Sequence, residues 1–177
     1  METPPNWKPT HLESEILKLV PLTDSDFESL FEVASDPRIW AQHPSSDRYK
    51  KEVFETYFNG VKSSNGAFLI FDTLKDKIIG STRYYDYKPE NSSIAVGYTF
   101  LARDYWGGLY NKSVKKLLLD YAFKFVDKVY FHIAPTNIRS QKAIAKIGAI
   151  KIGEFELDSN GQKLMHLEYV IQKQDWK

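Results

Sequence analysis

Apolar residues recur at two spacings along this chain, and the changes between them predict its elements. Ile16 to Leu22 (ILKLVPL) reads as a first strand, with Pro21 near its end. Thr23-Asp24 is a helix N-cap signal. Phe27, Leu30, Phe31 and Ala34 then share one helical face until Asp36-Pro37 breaks it. A second helix begins at Asp47, with Val53, Phe54, Tyr57, Phe58 and Val61 spaced as a buried stripe. The period then shortens. AFLIFDT (67–73), KIIGSTRYYDY (77–87) and SSIAVGYTFL (92–101) are β-rich runs with short polar connections, which predicts an antiparallel meander. Helix resumes near Asn111, with Val114, Leu117, Leu118, Tyr121, Ala122 and Phe125 on one side. A strand at 128–134 follows, then a helix from Ile138 to Ile147 that stops at Gly148 and places Ala143 and Ile144 on its core side. Two strands, 149–157 and 163–172, close the pattern, and Asn160-Gly161 between them is a hairpin signal.

The predicted order is β-α-α-β-β-β-α-β-α-β-β. The strand–helix–strand piece from 92 to 134 needs a right-handed crossover, so it puts two parallel strands inside an otherwise antiparallel sheet. The expected class is α+β (mixed α/β), with one central sheet of about seven strands. The first 13 residues hold Pro4, Pro5 and Pro9 and predict an irregular arm. No linker or composition shift divides the remainder, so 14–177 reads as a single domain, a size that one core can fill.

Composition narrows the chemistry mainly by exclusion. A net charge of +1 supplies no global field to draw in nucleic acid or an anionic membrane. The chain has no cysteine, which removes a disulfide framework, a thiolate metal site and a cysteine nucleophile. Its start lacks a basic region followed by an apolar one, and no apolar run approaches the ~18 residues of a membrane span, so a cytoplasmic location is expected. His11, His43 and His166 show no metal-ligand spacing, and no metal is expected.

The stretch Arg103-Asp104-Tyr105-Trp106-Gly107-Gly108-Leu109-Tyr110-Asn111-Lys112-Ser113 follows a strand and opens a helix. Adjacent glycines let backbone amides approach a ligand, and a helix N-terminus adds free N–H groups and positive dipole that suit phosphate. Lys112 and Arg103 can add full charge. The plain alternative is an ordinary Gly-Gly turn. A P-loop is excluded, because Trp106 and Asn111 stand where its two glycines belong. A second constellation, Asn137-Ile138-Arg139-Ser140, lies where the next strand meets the next helix. Asn137 can cap that helix, and an amide and a hydroxyl three residues apart can also face a ligand between the strands.

Three landmarks together resemble the GNAT superfamily of acetyl-CoA-dependent N-acetyltransferases. They are Val96 to Leu101, then Tyr105-Trp106-Gly107-Gly108, then Asn137 to Ser140 running on to Lys146-Ile147-Gly148-Ala149. The resemblance covers about residues 14 to 173 and is nearest to the branch that acetylates ribosomal-protein N-termini. It implies that strands 94–101 and 128–134 splay apart, with pantetheine pairing to free backbone near Phe100 and Leu101. It places the CoA diphosphate on Trp106, Gly107, Gly108, Leu109, Tyr110, Asn111, Lys112 and Ser113. Asn137 would bond the pantetheine or set the splay. Ser140 would contact CoA or protonate the departing thiolate.

Two departures from the family pattern matter. Leu109 and Asn111 replace later small residues of the turn, and Ala95 stands where many relatives carry a glutamate as general base. An ammonium must lose a proton before it attacks a thioester, so another base or a water is needed. Glu90, Asp86, Tyr98 and His132 are the replacements considered, each with a structural reading beside the chemical one. Tyr98 and Ser140 are retained as the catalytic candidates. Trp40, Tyr84, Tyr85, Tyr87, Tyr98 and Tyr105 either line a substrate cleft or pack the sheet, and Arg83 either meets a substrate carboxylate or sits in solvent. Of these, Trp40, Arg83 and Tyr85 are the substrate-binding candidates. The function expected is acetyl transfer from acetyl-CoA to a primary amine, on a small molecule or a protein N-terminus, by direct attack in a ternary complex. The alternative is a non-catalytic acyl-CoA-binding or regulatory module. No nucleic-acid or membrane partner is expected, and the aromatic-rich strands offer a surface for a homodimer.

Overall fold

A computed structural model describes residues 3–159 and 161–177. Among these residues, eight strands form one sheet: β1 (Leu12–Glu13), β2 (Leu17–Pro21), β3 (Ala67–Asp72), β4 (Lys77–Lys88), β5 (Ser93–Leu101), β6 (Lys128–Ile133), β7 (Ile150–Ser159) and β8 (Gln162–Gln172). Four α-helices accompany them: α1 (Phe27–Ala34), α2 (Lys51–Ser63), α3 (Leu109–Ala122) and α4 (Ile138–Ala145). The sheet order is β1-β2-β3-β4-β5-β6-β8-β7, and every pair is antiparallel except β5–β6. The mixed α/β class and the element order agree with the sequence pattern.

The strand count is eight rather than seven. The extra strand, β1, pairs Leu12 with Leu19 at the sheet edge. Its part of the arm is anchored further: the Trp7 ring lies 5.1 Å from Tyr84 and 5.2 Å from Tyr87, and Tyr121 donates to the Asn6 carbonyl. Two residues are too few to show a period, so the pattern cannot reveal them. The second helix starts at Lys51 rather than Asp47, after a run of turns. The third starts two residues before Asn111. The hairpin signal falls partly on Asn160, which lies outside the described residues.

Alternation along the strands sends side chains to two cores. One holds Ile79, Ile94, Val96, Val129 and Phe131 against Val114 and Leu118 of α3 and Ile144 of α4. The other holds Leu69 and Phe100 against Leu30 of α1 and Phe54, Tyr57 and Phe58 of α2. Tyr130 and His132 alternate with Val129 and Phe131, so they face the α1/α2 side.

The feature that positions the site is a parting of the two parallel strands. β5 and β6 pair only at Ser93/Lys128, Ile94/Val129 and Ala95/Tyr130. Beyond these, β5 stays paired to β4 as far as Leu101, and β6 to β8 as far as Ile133. A wedge therefore opens between them. A bulge marks where β5 turns away: Ser81 pairs with Phe100 and Arg83 with Gly97, so Thr82 faces both Tyr98 and Thr99. Tyr98 takes φ 53°, a left-handed conformation that costs a non-glycine residue about 1 kcal/mol. Tyr57 holds it by donating to the Tyr98 carbonyl at 3.0 Å, and the Arg83 guanidinium lies 3.4 Å from its ring centroid.

Candidate active site

The wedge brings the two sequence constellations to its opposite sides. On one side the chain leaves β5 through a single 3-10 turn (Arg103–Tyr105), reaches Gly107 at φ 70°, and enters α3. α3 has neither a capping side chain nor an acidic residue in its first turn, so its first N–H groups are available to an anion. Gly107, Gly108, Leu109 and Lys112 are exposed there, and Asn111 is half-buried. On the other side Asn137 accepts from the Ser140 N–H at 3.2 Å and caps α4, which leaves the Ser140 hydroxyl half-buried in the first turn. Trp106 and Arg139 link the two sides. The Trp106 indole donates to the Leu101 carbonyl at 2.9 Å, and the Arg139 guanidinium lies 3.7 Å from the indole centroid.

Several expected contact residues are committed to the fold. The Leu101 carbonyl is occupied by Trp106. Ser113 shares a hydroxyl–hydroxyl bond with Ser14 at 3.0 Å. Tyr110 donates to Asp72 at 3.3 Å, beside Tyr105 at 2.7 Å. Burial alone would raise the Asp72 pKa. Hydrogen bonds from Tyr105, the Lys75 and Leu74 amides and Tyr110 outweigh it and hold the carboxyl below the usual range. The resulting stability is present above the unfolded pKa and is lost as pH falls through the folded one. Asp72 thereby ties the turn before α3 to the β3–β4 hairpin.

Lys115 is a residue the sequence pattern did not single out. It lies in α3 against the bulged part of β5, is 4% exposed, and donates to the Thr99 hydroxyl at 2.7 Å. Thr99 bonds Thr82 at 2.8 Å, and Phe131 of β6 lies across the wedge with its ring centroid 5.8 Å from the ammonium. No carboxylate pairs with Lys115 among the described residues, and burial pushes its pKa down to about 7. The unfolded chain therefore binds more protons between about pH 7 and ~10.4, and stability rises with pH across that window. Lys115→Met is expected to melt higher than the native protein near pH ~6, with the gap closing by pH ~10, in calorimetric melts across pH.

The α1/α2 face carries the remaining candidates. Ala95 lies in a hollow with Ser93, Asp86, Tyr130, His132 and Glu168. Tyr85 extends over this face and its hydroxyl lies 2.8 Å from His132 Nδ1. His132 Nε2 lies 3.0 Å from Glu168. Neither Glu168 nor the linkage was visible in the spacing. Asp86 pairs with Lys88 at 3.0 Å, and Glu90 is exposed in the turn after β4. Tyr98 is exposed beside Tyr85, with ring centroids 5.2 Å apart. Trp40 does not line an open cleft: it is 3% exposed, donates to the Ala34 carbonyl and packs on Phe100. Arg83 is not in solvent either. It is buried between the Tyr98 ring and the Gly60 carbonyl, to which it donates at 2.9 Å. Tyr84 and Tyr105 are core residues.

Residues 17–150 match the family described as Acetyltransferase (GNAT) domain. A GCN5-related N-acetyltransferase from Brucella melitensis superposes with a TM-score of 0.77 at 17% identity, over 93% of this chain and 79% of that one. RimJ from Mycobacterium smegmatis, solved in complex with CoA-disulfide, gives 0.68 at 16% identity, over 90% and 83%. The ribosomal-protein-S5-alanine acetyltransferase from Vibrio fischeri gives 0.66 at 22% identity, over 93% and 97%. At these identities the structural likeness establishes the fold.

Proposed function

The chain belongs to the GNAT acetyltransferase family, and from that premise we propose that it transfers acetyl from acetyl-CoA to a primary amine by direct attack. The parting of β5 and β6 at the Tyr98 bulge carries this reading. It leaves one edge of β5 unpaired beyond Ala95, where the pantetheine arm of a donor can lie, with α3 set to receive the diphosphate. Backbone N–H groups near Val96 and Gly97 are suited to hold the oxyanion that forms at the thioester carbonyl. Ser140, at the α4 end of the wedge, is suited to meet the departing sulfur. A chain without cysteine forms no cysteine-linked acyl-enzyme. The V. fischeri relative is a ribosomal-protein-S5-alanine acetyltransferase, which favours a protein acceptor, and the exposed hollow beside Ala95 gives a chain terminus an approach.

The test pairs calorimetry with acetyl-CoA and a free-thiol assay over peptides with open N-termini and small amines. Saturable binding and thiol release from at least one amine are expected. Absence of binding would overturn the proposal. Ala95 favours one second reading, a non-catalytic acyl-CoA-binding module. That module would show the binding without thiol release from any amine.

A further inference from the structure

Ala95 removes a carboxylate from β5, but the space above it is filled by other chemistry. Tyr85 faces Ala95 directly in the β4–β5 ladder. Its ring lies over Gly97, where a Cβ would stand 3.1 Å from Tyr85 Cε1 and 3.4 Å from its hydroxyl. From there the hydroxyl crosses to His132 on β6, so this one side chain spans the two strands as they part. Glu168, the register partner of His132 on β8, completes the line. The proton positions follow from the donor inventory. An ionised Glu168 only accepts, so His132 Nε2 carries a hydrogen. Nδ1 then offers its lone pair, and Tyr85 donates to it. The phenol oxygen keeps a lone pair for another donor. The edge-on Phe155 ring, 5.0 Å away, packs against the imidazole.

The geometry points to Tyr85, backed by His132 and Glu168, as the acceptor of the proton that the substrate amine gives up, in place of a carboxylate at residue 95. This inference rests on the acetyl-transfer reading. A primary ammonium sheds two protons on becoming an amide. One leaves on the CoA sulfur as the N–C bond forms and the C–S bond breaks. The other passes to Tyr85 Oη while the proton already there moves to His132 Nδ1. The imidazolium is held against Glu168 and then releases a proton to solvent. Burial holds the Tyr85 pKa far above the ordinary phenol value, so the phenol cannot store negative charge and needs the relay. Burial also lowers the His132 pKa below 6.5, against the raising effect of Glu168, which leaves a neutral acceptor at neutral pH. The ionisable groups around His132 are Glu168 and His166 from β8, Tyr85, Asp86 and Lys88 from β4, Tyr98 from β5 and Tyr130 on its own strand.

Thiol release is measured from about pH 5.5 to about 9.5 on the full chain, with acetyl-CoA, the peptide Ala-Gly-Phe and a panel of small amines as probes. Tyr85→Phe and His132→Asn are expected to lower kcat about 10²–10³-fold near pH ~7. Acetyl-CoA affinity by calorimetry should stay within about twofold, since neither change touches the wedge backbone. Both deficits should shrink as pH rises and the amine deprotonates unaided. The native acid limb should lie below pH ~6.5 and vanish in His132→Asn. Glu168 acts through His132. Because its charge raises the imidazole pKa, Glu168→Gln should move that limb to lower pH. Tyr85→Phe removes one oxygen only and keeps the test valid if the histidine variant folds poorly. Variants with native kcat and an unmoved acid limb overturn the relay and leave acetyl transfer standing. A native protein that releases no thiol with any probe overturns acetyl transfer itself, and the relay with it.

Discussion

Gly80→Ala is expected to abolish the native fold or to destabilise it by more than about 3 kcal/mol, a large share of the ~5–15 kcal/mol that holds a domain together. A Cβ at residue 80 would stand 1.9 Å from the Phe100 carbonyl oxygen, 3.0 Å from its carbon and 3.1 Å from the Leu101 Cα. All three are backbone atoms, so no side chain can rotate away. β4 and β5 would have to separate at the Gly80/Leu101 pair, next to the bulge that opens the wedge. Urea unfolding measures the loss directly. Gly60→Ala in α2 is the control. Nothing lies within 4 Å of its Cβ, and alanine in a helix interior should stabilise by about 0.5–1 kcal/mol. If Gly80→Ala melts like the native protein, the close approach of β4 to β5 is wrong.

Gly107→Val should have the opposite profile, with little loss of stability and a large loss of donor binding. Residue 107 has φ 70°, where a β-branched side chain is strained, yet no atom within 4 Å would resist the added carbon. The exposed turn can relieve the strain by re-aiming its peptide units at a cost of about 1–2 kcal/mol. Those peptide units lead into the first N–H groups of α3, so acetyl-CoA affinity by calorimetry should fall more than about tenfold. Gly108→Ala, at an ordinary φ of −110°, should bind within about threefold of the native protein. Equal affinity for native and Gly107→Val protein would remove this turn from the donor site.

These two glycines show how unevenly the molecule was legible. Gly107 stands in a pair before an apolar-periodic helix, and its turn can be read directly. Gly80 sits inside KIIGSTRYYDY with nothing to mark it, because the atom it avoids belongs to residue 100. Aromatic residues were ambiguous for a related reason. A buried wall and an open cleft use the same side chains, so Trp40 could be assigned only once the packing of α2 was known. Lys115 is adjacent to Lys116 in sequence and looks equally solvated. One is 4% exposed against Thr99, and the other pairs at the surface with Asp120.

The sequence by itself determined the class, the element order apart from the two-residue β1, and the turns that lead into α3 and α4, while it started α2 four residues early. Those depend on local backbone geometry and on the period at which one face must leave water, and both are written within a few residues. Membership of the GNAT family was legible for the same reason, since its landmarks are runs on single elements. Only the tertiary structure decided what converges at the wedge. Tyr85, His132 and Glu168 lie on three strands far apart in the chain, and a one-residue slip in any ladder would send a member to the other face. Register of that kind is set by the packing of both cores at once. That is why the missing carboxylate was visible at Ala95, and His132 and Tyr85 could be named as candidates, while their linkage to each other and to Glu168 could not be read.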